Sequence, residues 1–412
     1  MKTLRPEKRN EQLLRFATHM NKMVVGQPAA IDKLTDSFSR LIAGVHDPER
    51  PLLTMMFMGP TGVGKTETVR ALAETVFGSK RAFTRVNCQE YSAHYNISKL
   101  LGSPPGYVGG EIRPLLAQEN IDRHHAKARE NQSGLVSEAG GKLARMFPPE
   151  SERNLSIVLF DEIEKAHPKL WNLLLGILED GTVVLGNNEE VDFRGSIIIL
   201  TTNVGSQAMG AHLAQSGIGF QTGTSDTALD RDIGEAALRE AKKVFPFEFL
   251  NRFDDIITYH TLKEQHLYAI LDILIAQVHQ RSLMCAEPFL LEITREAKAH
   301  LVATGTDVQY GARPLKRAVE SGIVTPISHY ICSEQIRKGD LITVDLEGGG
   351  LVFRKETGVT SWEELESLGP FPESRWAKED LGVRDDGGEK KEIVERITQV
   401  VATAGALGGA DD

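Results

Sequence analysis

Gly59-Pro60-Thr61-Gly62-Val63-Gly64-Lys65-Thr66 decides how this chain is read. The apolar run 52–58 precedes it, and residues 67–76 have the composition of a helix. Between a strand and a helix, the pattern G-x-x-x-x-G-K-[ST] is a phosphate-binding loop. Its glycines let backbone N–H groups turn inward around a polyphosphate, and the helix N-terminus adds partial positive charge. Lys65 is placed to reach the outer phosphates, and the Thr66 hydroxyl to hold Mg²⁺. With both flanks correct, a nucleoside triphosphate is the expected ligand.

Two further apolar runs end in side chains that suit the same ligand. Residues 156–160 (SIVLF) read as a central parallel strand, covered on both faces, and lead into Asp161-Glu162. At the carboxyl end of such a strand, carboxylates reach the crevice where open α/β sheets bind ligands. Asp161 suits the Mg²⁺ shell, and Glu162 suits a base that polarises the attacking water. Residues 195–200 (GSIIIL) repeat the pattern and lead into Thr201-Thr202-Asn203. A neutral amide there can bond the γ-phosphate or the water without adding negative charge, although Asn203 alone would read as a strand-end cap. With 83–87 (FTRVN) as a second strand, the chain is expected to be α/β with a doubly wound parallel sheet.

Upstream, 10–44 read as helical with a break at Val24-Val25-Gly26-Gln27, and this turn could wall the base. Downstream of the second strand, 102–110 (GSPPGYVGG) are too rich in glycine and proline for regular structure, yet carry Tyr107 and Val108. Either these two pack back on the body or they are displayed. Residues 111–155 are polar and read as an exposed helical insertion. After Thr261 an amphipathic stripe (Leu267, Ile270, Leu271, Leu274, Ile275, Val278) opens a smaller, mainly helical domain, closed by a strand at 341–346. The expected organisation is an N-terminal helical extension 1–20, a large domain 21–258, a small domain 259–346 and an acidic, glycine-containing tail 347–412.

The formal net charge of −10 lies unevenly, since residues 346–412 hold 15 acidic and 8 basic side chains. The body is near neutral and lacks the basic stripe of a nucleic-acid motor. Cys88, Cys285 and Cys332 lie far apart, without metal-ligand spacing, which favours a reducing compartment. The first twelve residues lack the apolar core of a signal peptide, and no apolar run nears the roughly eighteen residues that span a bilayer. A cytoplasmic protein without a membrane partner is expected.

Taken together, the blocks VVGQ, GPTGVGKT, GSPPGYVGG, LFDEIEKAHP, DGTVVLGNNEEVDFRGSIIILTTNVGS, FLNRFDD and YGARPLKRAVE resemble the Clp-type AAA+ unfoldases. The likeness is nearest to the second ATPase module of ClpB and to ClpA and ClpC, and runs from about Met20 to Leu346. It implies an AAA+ large domain with a helical lid, and ATP with Mg²⁺ as ligands. Lys65 and Thr66 become the Walker A pair, Asp161 and Glu162 the Walker B pair, and Asn203 the first sensor. Arg252 resembles the arginine finger that acts on a neighbouring subunit's nucleotide. A salt bridge with Asp254 or Asp255 is the other reading. Arg313 resembles the second sensor, and Val24 and Val25 would flank the adenine.

The resemblance further implies a homo-hexamer that threads unfolded or tagged protein substrates through a pore. Tyr107 and Val108 match its gripping loop, and 182–190 align with a second pore-facing loop. Ile218-Gly219-Phe220 stand where peptidase-partnered members carry a tripeptide that docks on a ClpP-type barrel. A loop anchored by two apolar side chains is the alternative. Where Clp unfoldases often carry a preceding ATPase module, about twenty residues precede this one, so substrate choice is expected from elsewhere. Two other classes fit less of the sequence. A dedicated remodeller of one partner complex would use the insertion or the tail for specificity. A nucleic-acid loader is disfavoured by the near-neutral body and the GYVG loop.

Overall fold

The computed structural model describes residues 11–44, 46–102, 113–131, 154–206, 209, 226–285, 287–306 and 311–357. Two units emerge, Met1–Thr261 and Leu262–Asp412. The first begins with helices α1 (Glu11–Met23) and α2 (Pro28–Ala43), then strand β1 (Leu53–Met58) and helix α3 (Lys65–Phe77). Strands β2 (Thr84–Asn87), β3 (Ser156–Asp161), β6 (Ser196–Thr202) and β7 (Asp255–Thr258) join β1 in one sheet of order β2-β3-β6-β1-β7. Every pairing in it is parallel.

Alternation along these strands feeds two apolar layers. Met55, Phe57, Ile157, Leu159, Ile197 and Ile199 face α1, α2 and α3. Their neighbours Met56, Met58, Val158, Phe160, Ile198 and Leu200 face helices Pro168–Asp180, Asp226–Val244 and Phe247–Leu250. A strand covered on both faces has no polar side, and this explains the unbroken apolar runs of β1, β3 and β6. The doubly wound sheet read from the sequence is the one observed.

Three boundaries differ from expectation. The division falls after Thr261, not 258, because the residues after β7 are tied into the first unit. The Tyr259 N–H donates to Met58 O (2.7 Å), its ring is fully buried against Phe57, and its hydroxyl bonds Thr68 (3.0 Å). The segment 111–155 is not wholly an exposed insertion. Helix Gln118–Asn131 is seated on the sheet by buried Leu116, Ala117 and Ile121, and Thr84 Oγ1 donates to Asn120 O (2.9 Å). These three buried side chains lie just before the helix and in its first turn, while most of its sequence is polar. Finally, the expected tail begins with a strand. Gly348 and Gly349, at φ 57° and 82°, turn the chain so that β10 (Gly350–Glu356) pairs antiparallel with β9 (Leu341–Glu347).

Between β3 and β6, β4 (Thr182–Val184) and β5 (Glu190–Asp192) form a hairpin. The Gly186 N–H at its turn bonds Leu101 O (2.8 Å), directly before the glycine-rich loop. The second unit packs helices Glu264–Leu283, Arg295–Thr304, Arg313–Val319 and Thr325–Cys332 against a sheet of order β10-β9-β8, where β8 is Leu290–Ile293. Leu267, Leu271, Leu301, Leu315 and Ile323 fill its core.

Candidate nucleotide site

The loop between β1 and α3 is shaped by glycines that no other residue would replace. Gly59, Gly62 and Gly64 have φ of 151°, 77° and 110°. A Cβ on Gly59 would lie 2.5 Å from Tyr259 O. Helix α3 starts at Lys65 with no side-chain cap from Gly64, so its first N–H groups face outward, as an anion requires. Lys65 is 8% exposed, and its ammonium donates to Gly59 O (2.5 Å), Pro60 O (2.7 Å) and Asn203 Oδ1 (2.9 Å). A buried cation held by loop carbonyls above uncapped amides fits a polyphosphate.

The ends of β3 and β6 bring their side chains to this loop. Asn203 Oδ1 lies 3.4 Å from Thr61 Oγ1, and Asn203 Nδ2 lies 3.4 Å from Glu162 Oε1. Glu162 adopts a left-handed backbone (φ 58°, ψ 55°), unusual for a side chain of its size. Its N–H is held by Thr201 Oγ1 (3.0 Å), and the same hydroxyl donates to Asp161 Oδ1 (2.5 Å). Thr66 and Asp161 together offer the oxygen donors that a hard divalent cation prefers.

Sequence reasoning missed three neighbours. Arg85 on β2 binds Asp161 Oδ2 through Nη2 (2.6 Å) and Nε (3.1 Å), so a cation on Asp161 must compete with a guanidinium. Glu164 bonds Asn203, and Gln27 bridges the loop to His260. An arginine within a candidate strand was the one visible signal, because the partners lie 36 to 233 residues apart. The Cys88 thiol is pushed far up, first by burial and then by Asp161, Glu164 and Glu162, which shows how closely these carboxylates gather.

Other expected site residues are dispersed. Val24 is buried with its Cγ1 3.6 Å from where a Gly64 Cβ would stand, and Val25 is half-buried. Arg252 lies at the opposite end of the sheet. Its carbonyl accepts from Thr54 Oγ1 (3.1 Å) near the start of β1 and from Arg50 Nη2 (2.8 Å). Its guanidinium pairs with Glu179 (2.8 Å) and Glu248 (3.8 Å). The alternative pairing with Asp254 or Asp255 is not found: Asp254 caps Thr54 N (2.7 Å), and Asp255 binds Ser37 (2.5 Å) and Arg40. Arg313 is exposed at a helix start in the second unit. Tyr107, Val108, Ile218, Gly219 and Phe220 lie outside the described residues. No helix among the described residues is long and apolar enough to cross a membrane.

A phosphate loop, acidic strand ends and a doubly wound sheet, followed by a helical unit, define a P-loop nucleotide-binding module of the AAA+ class. The family described as "AAA domain (Cdc48 subfamily)" matches residues 50–128 and 116–256, and "C-terminal, D2-small domain, of ClpB protein" matches 262–344. The chain belongs to the Clp-type AAA+ proteins. It is 35% identical over 344 residues to ClpC/MecB of Bacillus subtilis, "negative regulator of genetic competence", covering 84% of this chain and 38% of that protein. It is 33% identical over 389 residues to the chaperone protein ClpB of Aquifex aeolicus (94% and 33%). The ATP-dependent Clp protease ATP-binding subunit ClpC of Staphylococcus aureus is 36% identical over 342 residues (83% and 37%). A closed-state cryo-EM reconstruction of Hsp104 with ATPγS and FITC-casein superposes with a TM-score of 0.62 at 28% identity, covering 84% of this chain and 52% of that one. The chain therefore spans about a third of the length of these curated relatives.

Proposed function

We propose that the chain is an ATP-hydrolysing protein unfoldase or remodeller that works as a homo-hexameric ring. The observation that carries this reading is the chain of contacts from Lys65 through Asn203 to Glu162, laid over the uncapped start of α3. Bound ATP with Mg²⁺ supplies the phosphoryl group and the cation that offsets its charge. Lys65 and the loop N–H groups bind the outer phosphates, while the Thr66 hydroxyl and the Asp161 carboxylate hold the cation. Val24 and Val25 wall the base. Glu162 takes a proton from the attacking water, and Asn203 orients that water.

The place of Arg252 supports a site shared between copies. β1 has six residues, about 20 Å at the usual rise, and separates Arg252 from the phosphate loop of its own chain. An arginine so placed serves a neighbour's nucleotide, and a closed ring gives every copy such a neighbour. Arg313 is assigned to report nucleotide state. The kinship with chaperones, and the FITC-casein in the Hsp104 reconstruction, support unfolded protein as substrate. Tyr107 and Val108 are assigned to grip it, and Ile218-Gly219-Phe220 to dock a ClpP-type peptidase.

The test is Glu162→Gln in the full chain. It should bind ATP, hydrolyse it about 100-fold more slowly or worse, and give a hexamer retaining casein by native mass spectrometry. Wild-type turnover should rise with casein and not with single-stranded DNA. Rapid turnover by Glu162→Gln, or lone protomers at full catalytic speed, would refute the proposal.

A further inference from the structure

We infer that Glu164 is a positioning residue of the hydrolytic site, acting through Asn203; the inference rests on the ATPase reading above. Glu164 stands two residues beyond Glu162, in the single 3₁₀ turn Ile163–Lys165 that follows the left-handed Glu162. That backward twist turns both carboxylates toward one amide. Asn203 Nδ2 is 3.4 Å from Glu162 Oε1 but 3.1 Å from Glu164 Oε1, and the same Glu164 oxygen accepts the Asn203 main-chain N–H at 3.1 Å. The Glu162 contact is at the limit of a hydrogen bond, whereas both Glu164 bonds are of ordinary length. Glu164 is therefore what fixes the amide. With Nδ2 committed to carboxylates, Oδ1 must face the phosphate loop, and there it takes the Lys65 ammonium at 2.9 Å.

A second observation bears on why Glu164 is there. Its other oxygen, Oε2, is buried without a hydrogen-bond partner among the described residues. A buried acceptor left unpaired loses its hydration and gains nothing in return. The carboxylate is thus held through Oε1, by the main-chain and side-chain donors of Asn203.

The experiment compares Glu164→Ala, Glu164→Gln and Asn203→Ala in the full chain. Glu164→Ala should lower kcat about tenfold or more, as loss of orientation does, without weakening binding of a fluorescent ADP analogue. In the nucleotide-free chain it should speed hydrogen exchange of the peptide 201–206. Glu164→Gln keeps the Oε1 acceptor and should restore both. Added to Asn203→Ala, Glu164→Ala should cost nothing further, because the two residues act as one. Should Glu164→Ala fail to fold, Glu164→Asp takes its place: one methylene shorter, it withdraws the acceptor and should be slow where Glu164→Gln is not. Wild-type turnover in Glu164→Ala, equal damage from Glu164→Gln, or additive costs with Asn203→Ala would overturn the inference. A wild-type chain that neither binds nor hydrolyses ATP would overturn the ATPase reading and this inference with it. Normal wild-type hydrolysis matched by Glu164→Ala would overturn this inference alone.

Discussion

Replacing Gln27 by leucine should loosen the phosphate loop from the end of the first unit. Gln27 is 1% exposed, and all three of its described side-chain bonds are to main chain. Its Nε2 donates to Val63 O (3.1 Å) and His260 O (2.8 Å), and its Oε1 accepts the His260 N–H (3.1 Å). Leucine fills a similar volume but makes none of these bonds. At about 1 kcal/mol each, the loss is roughly 3 kcal/mol. A unit of this size melts about 2–4 °C lower per kcal/mol, so a fall of roughly 6–12 °C is expected. Gln27→Glu is a sharper probe. It keeps the acceptor for His260 but aims a carboxylate oxygen at two carbonyl oxygens. Burial and those oxygens raise its folded pKa above the unfolded value near 4.3. The stability from its neutral form is thus complete below about pH 4.3 and drains away as pH rises through the folded pKa. Relative to wild type, Gln27→Glu should recover on mild acidification, whereas Gln27→Leu should not. Circular dichroism melts at neutral and acidic pH, with a fluorescent nucleotide titration alongside, measure both. Unchanged melting and nucleotide affinity in Gln27→Leu would refute the reasoning.

Arg252→Ala should bind ATP and hydrolyse it slowly, and mixing it with Lys65→Ala subunits should restore part of the activity, since each supplies what the other lacks. Failure of every mixing ratio would count against an arginine acting between copies. Arg85→Met removes the guanidinium that competes for Asp161 Oδ2. The Mg²⁺ concentration for half-maximal ATPase should fall, and an unchanged or higher value would show that Arg85 does not compete. Burial holds His279 below the ordinary imidazole range, only partly offset by its bond to Leu291 O (3.2 Å). The unfolded chain therefore takes up the proton first. Stability of the second unit is complete above the ordinary pKa near 6.5 and is lost as pH falls through the lower folded value. His279→Asn, which can keep the bond but cannot titrate, should flatten this acid slope in urea unfolding followed by a probe in that unit.

The sequence was most legible where one cause dominates. β1, β3 and β6 are covered on both faces, so their apolar runs stood out, and their polar ends marked the crevice where Lys65, Glu162 and Asn203 meet. It was least legible where pairing is distant. Asp254 and Asp255 neighbour Arg252 in sequence, yet one caps β1 and the other binds α2, while Glu179 arrives from another helix. Glu164 was hidden for the same reason, because nothing in DEIEK says which acid will meet residue 203. Gly348-Gly349-Gly350 fell in the expected tail because composition does not distinguish a flexible glycine from one that a tight turn requires. The seat of helix Gln118–Asn131 was masked by the polar majority around Leu116, Ala117 and Ile121.

A row of ring contacts joins the two ends of the sheet. Directly after Glu162, Ile163 O accepts the indole N–H of Trp171 (3.1 Å). That ring packs edge-on against Phe245, with centroids 5.2 Å apart, and stacks on Phe249 at 6.4 Å. Phe249 in turn meets Phe253 at 5.3 Å, beside Arg252. Phe245 and Phe249 are fully buried, and Phe253 nearly so. Close-packed interiors have little slack, so a shift of the turn that carries Glu162 and Glu164 would press on the Trp171 ring that Ile163 O holds. The row of rings runs from that turn to Phe253, next to the arginine assigned to the neighbouring copy. Trp171 contributes more than bulk here: phenylalanine at 171 would keep the ring contacts but lose the indole N–H bond to Ile163 O, beside Glu162.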